Sequence, residues 1–94
     1  MSSAEDFRKL PAVFEATKDA AAKGQSVVIT SQFSRGTAYQ KTSQRIIEQV
    51  SEGSRDIVVL TNQNNPELEK LQKLVASTNL VANAKIVLKT IPVE

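Results

Sequence analysis

Two continuous β-branched runs and one alternating run punctuate the chain, and between them apolar residues return every three or four positions. Ser26-Val27-Val28-Ile29-Thr30 is bounded by polar residues and reads as a strand covered on both faces. Asp56-Ile57-Val58-Val59-Leu60-Thr61 repeats the pattern. From Ala84 to Ile91 the signal changes: Lys85, Val87 and Lys89 alternate with Ala84, Ile86, Leu88 and Thr90, which predicts an edge or half-exposed strand.

The intervening stretches predict helices. Phe7, Leu10, Phe14, Thr17 and Ala21 form one stripe, with Ser2 or Ser3 available as a cap and Glu5 and Asp6 in the first turn. Pro11 interrupts it. Proline is unfavourable inside a helix and favoured at its first position, so the regular helix is expected over Pro11 to Lys23, stopped by Gly24. Tyr39, Ser43, Ile46, Ile47 and Val50 make a second stripe within 36–52, with Gln40, Lys41, Gln44, Arg45 and Glu48 outward and Gly53 at its end. A third helix is expected over 65–78, where Asn65, Pro66, Glu67 and Glu69 resemble a helix start and Leu68, Leu71, Leu74, Val75 and Thr78 supply the apolar face. A hairpin there would need two-residue alternation and a glycine-bearing turn, and the stretch has neither.

The order is therefore α-β-α-β-α-β, an α/β class built on a three- to four-stranded, mostly parallel sheet with helices packed against it. Each strand-helix-strand unit should cross over right-handed. With 94 residues, a second core would leave each half too little apolar surface, so residues 1–94 are read as a single domain.

Composition narrows the chemistry. There is no cysteine, hence no disulfide, thiolate metal site or cysteine nucleophile, and there is no histidine, the side chain best suited to proton transfer near neutral pH and the commonest metal ligand. Glu5, Asp6, Glu67 and Glu69 sit at predicted helix starts, where the helix dipole accounts for them, and Asp56 lies at the amino end of the sheet. No acid and base pair emerges. The expectation is a protein that is not an enzyme and uses no metal or cofactor. The polar, acidic start and the lack of any long apolar window predict no membrane span and a cytoplasmic location. Phe7 and Phe14 are expected in the core, while Phe33 falls in a polar loop.

Twelve Lys and Arg against ten Asp and Glu leave a formal charge of +2, so the placement of charge matters more than its sum. In an open parallel sheet, ligands bind beyond the carboxyl ends of the strands. Two loops lie there. Ser31-Gln32-Phe33-Ser34-Arg35-Gly36-Thr37 combines hydroxyls, a guanidinium and a glycine ahead of a helix start, a combination suited to phosphate and equally to a capped polar turn. It lacks the Gly-Lys-Ser/Thr ending of a Walker loop and the glycines of a dinucleotide fingerprint. Thr61 to Asn65 offers amides without charge. Arg35, Lys41 and Arg45 fall on one strip, which reads either as a basic track joined by Lys9 or as a solvated face balanced by Glu48 and Glu52.

Lys9 and Pro11, the helix ending at Gly24, the β-branched strand after it, and Arg35-Gly36-Thr37-Ala38 with Lys41 leading a second helix together resemble the Alba family of small chromatin and RNA-binding proteins. The similarity spans 9–50. It implies a dimeric nucleic-acid binder without enzymatic activity. The chain departs from the family pattern in the polar stretch Ser2 to Arg8, in Lys9-Leu10 where paired lysines are usual, and in the helix starting near Pro66 where the family has a β-hairpin arm. Residues 36–75 also bear a looser similarity to the ribosomal proteins that bind kink-turn RNA. The expectations are a nucleic-acid site at Ser34, Arg35, Gly36, Thr37, Lys41, Arg45 and Lys9, and a homodimer that covers a sheet edge. Two rival readings are a protein-interaction module joining through Lys85 to Ile91 or an apolar helix face, and a domain for a small phosphate ligand.

Overall fold

The computed structural model describes residues 7, 9–30, 36–53 and 56–92, with backbone alone at 36–40. The elements follow the order α1 (Pro11–Ala22), β1 (Ser26–Thr30), α2 (Gly36–Ser51), β2 (Asp56–Asn62), α3 (Leu68–Ala82) and β3 (Lys85–Ile91). The three strands form one parallel sheet in the order β1-β2-β3. This is the expected α/β arrangement, with three strands and a helix at 68–82 rather than a hairpin arm.

Strand order decides which apolar run is covered on both sides. β2 is central, and Ile57 through Asn62 are all buried. β1 reads almost the same in sequence yet lies at an edge, with three of its five residues only partly covered. Its β-branched run therefore reflects coverage of its two faces, and says nothing about a neighbour along its outer edge.

Side-chain parity splits the core in two. Val28, Ile57, Val59 and Ile86 meet Ile46 and Val50 of α2 and Val75 of α3 on one face. Val58, Leu60 and Ile91 meet Phe7 and the α1 residues Val13, Ala16 and Ala20 on the other. Both linking helices thus share a face, as crossovers of one hand require when the strand order advances in one direction.

Helix α1 corrects the expected stripe. Pro11 opens the helix as expected, but the buried line is Val13, Ala16 and Ala20, while Phe14 is 60% exposed. Two alanines let the helix backbone approach the sheet closely, whereas a phenyl ring on that line would hold it away. Phe14 instead lies under the Lys18 ammonium, 5.1 Å from the ring centroid. Ile47, counted in the apolar stripe of α2, is likewise more than half exposed.

The helix ends explain their boundaries. Past α1, Gly24 takes φ +72° and Gln25 N–H donates to the Ala20 carbonyl at 2.9 Å, closing the last turn. At α3 the expected start shifts by three residues. The Asn65 side chain accepts from Glu67 N–H at 2.9 Å and its carbonyl accepts from Leu68 N–H at 3.0 Å, so Asn65 to Glu67 form a turn ahead of the helix. The far end runs on to Ala82, where Asn83 adopts φ 53° and stops it as glycine does elsewhere.

Candidate nucleic-acid interface

Short helix-to-strand links fix where the helices begin. Lys23 to Gln25 join α1 to β1, and Asn83 and Ala84 join α3 to β3, so these helices run antiparallel to the strands they precede. Helices α1, α2 and α3 therefore start at the carboxyl end of the sheet, where the helix dipole gives partial positive charge. Neither α1 nor α2 has an acid in its first turn, and no side chain caps α1. At α3, Glu67 and Glu69 temper that charge, and Glu67 is itself answered by Lys70 at 3.8 Å.

The same end of the sheet is polar. Parallel register aligns Thr30 with Thr61 and Thr61 with Thr90, a row of three threonines across the sheet. Thr30 and Thr61 are buried, as are Thr42 of α2 and Asn65. Asn65 Nδ2 donates to Thr61 Oγ1 at 2.9 Å, and Asn62 Oδ1 accepts from Asn64 N–H at 2.8 Å, so the second loop is braced by its own amides. Thr30 is 8% exposed and Thr42 4%, and neither hydroxyl has a hydrogen-bond partner among the described residues.

The expected site residues do not all converge. Gly36 and Thr37 open α2, and Lys41 stands exposed one turn further on. Lys9 is exposed just before α1, at the same end but on the opposite face of the sheet. Ser34 and Arg35 lie outside the described residues. Arg45 lies one turn beyond Lys41 on the same helix, where with Glu48 and Gln49 it lines a groove of about 180 Å³ beside Val27, Val28 and Ile29. No carboxylate lies within ion-pair distance of Lys9, Lys41 or Arg45 among the described residues, so Glu48 does not neutralise Arg45 within the chain.

Sequence reasoning missed the threonine row and the buried Thr42. The signal was present in the repeated threonine at each strand end, but it acquires meaning only once the parallel register aligns the three positions. Among the described residues, no cluster of three or more acids offers a metal site and no helix is long and apolar enough to cross a membrane. Neither protein-family models nor curated proteins nor solved structures provide a match to this chain.

Proposed function

We propose that the chain is a non-enzymatic module that binds nucleic acid through its phosphates at the carboxyl end of the sheet. The supporting observation is that two helix starts, each with an exposed lysine, lie at that end on either face of the sheet: Lys41 beside the start of α2 and Lys9 before α1, with no acid in the first turn of either helix. Cations and free N–H groups make the contacts that position a phosphate backbone without reading its bases. In sequence, Ser34 and Arg35 immediately precede Gly36 and Thr37, which open α2.

The test is a titration of fluorescent duplex and single-stranded oligonucleotides at several salt concentrations. Each neutralised phosphate steepens the decline of log affinity with log salt by about 0.9 on duplex DNA and about 0.7 on single strands. Replacing Arg35 and Lys41 together by Ala should flatten that dependence by about two such steps. Absence of binding at low salt overturns the proposal. Equal affinity for a mononucleotide and an oligonucleotide would instead favour a small phosphate ligand.

A further inference from the structure

The two edges of the sheet are finished differently. On β3, the outward N–H and C=O of Ile86 are both bonded by the Asn79 side chain of α3, and Lys85 and Lys89 stand exposed along the strand. A side-chain clamp and charged residues are two of the devices that keep a strand edge from pairing with another chain. β1 has neither. No hydrogen bond reaches its outer side from the described residues, and Ser26 to Thr30 carry no charge.

A groove follows this open edge. Its walls are Val27, Val28 and Ile29 on one side and Arg45, Glu48 and Gln49 on the other. Consecutive strand residues point to opposite faces, so three in a row can line one groove only along the strand's backbone edge. The opening therefore presents backbone groups unpaired among the described residues, beside a helix rim that carries Arg45 and Glu48.

We propose that this edge is the interface of a homodimer, in which a second copy adds its β1 antiparallel and joins two three-stranded sheets into one continuous sheet. The inference does not depend on nucleic-acid binding. Self-complementary charge selects a second copy as the occupant. A two-fold axis through the middle of β1, near Val28, brings the two α2 helices alongside each other in opposite directions. Arg45 of one copy then faces Glu48 of the other, and the pair is made twice. An isologous interface needs such a patch, one that matches itself when rotated by half a turn. Arg45 and Glu48 form no ion pair among the described residues, which suits them to pairing across the axis.

Sedimentation velocity without nucleic acid tests this directly. The wild type should sediment at twice the 10.2 kDa chain mass at micromolar concentration. Arg45→Glu sets two acids against each other across the axis and Glu48→Arg sets two cations, so each variant should be monomeric. An equimolar mixture of the two should regain dimer mass, because the acids of one variant then face the cations of the other, and the doubly exchanged variant should dimerise alone. Both positions are exposed, and circular dichroism verifies that each variant is folded. A monomeric wild type overturns the proposal, as does a dimer that survives both single reversals. Failure of the mixture to reassociate while both single variants are folded monomers overturns the assigned pairing.

Discussion

Asn79 lends Ile86 the two hydrogen bonds that a neighbouring strand would otherwise supply: its Oδ1 accepts from Ile86 N–H at 2.7 Å and its Nδ2 donates to Ile86 C=O at 3.0 Å. The clamp also ties α3 to the strand that follows it, across a reversal of seven residues. Asn79→Ala removes both bonds and should lower stability by about 1–3 kcal/mol. Asn79→Asp keeps the acceptor but turns a carboxylate oxygen toward the Ile86 carbonyl, two acceptors with no hydrogen between them, so it should cost at least as much. Urea denaturation should show the midpoint fall with an unchanged slope, since the surface exposed on unfolding stays the same.

Leu71 and Leu80 belong to the same helix and are the same residue type, yet Leu71 is 2% exposed and Leu80 86%. Leu71→Ala should cost about 2–5 kcal/mol through lost transfer energy and the cavity left behind. Leu80→Ala should stay within about 0.5 kcal/mol. Paired denaturation curves check this, and equal losses would show that the end of α3 is packed in solution.

Gly24 sits at φ +72°, and a Cβ placed there meets nothing within 4 Å. Sterics with neighbours therefore play no part, and Gly24→Ala should cost only the left-handed backbone, about 1–2 kcal/mol. Gly53, at φ +99° and similarly open, should respond in the same sense. Asn83 already occupies such a conformation with a side chain, so Asn83→Gly should be tolerated. Thermal or chemical unfolding of the three variants ranks them.

Nucleic-acid binding and dimerisation separate in their salt behaviour. Lys9→Ala should reduce the salt slope of oligonucleotide binding by about 0.9 on duplex DNA and leave the sedimenting mass unchanged. Arg45→Glu should do the opposite, removing the dimer while a monomer retains its lysine contacts. The comparison is made at protein concentrations below the dimer's dissociation constant, where only monomer binds.

Much of the architecture was legible because local signals dominate it. Pro11 and Gly24 bracket α1, and the alternation of Lys85, Val87 and Lys89 marks a half-exposed strand without reference to its neighbours. What sequence pattern left open was pairing and rotation. β1 and β2 carry nearly the same β-branched run, and only strand order makes one an edge and the other central. Phe14 belongs to a plausible three-four stripe, but close helix-sheet packing favours the small line through Ala16 and Ala20. Within the candidate site, Lys41 and Arg45 share a helix face, as their spacing implies. Their separation into a carboxyl-end cation and a groove-lining one depends on how α2 lies along β1, which residue spacing does not contain.

Ile91, the last residue of β3, is buried in the same cluster as Phe7 and Val13. That joins α1 and β3 in one packed layer and has a consequence for synthesis. Protein chains emerge from the ribosome N-terminus first, at about 5–20 residues per second. The opposite face of the sheet can begin to assemble once β1, α2 and β2 have emerged. The layer beneath α1 must wait for β3. Until then Phe7 and Val13 lack their last partner, so emergence of the third strand, rather than of the first helix, sets the moment at which that layer closes.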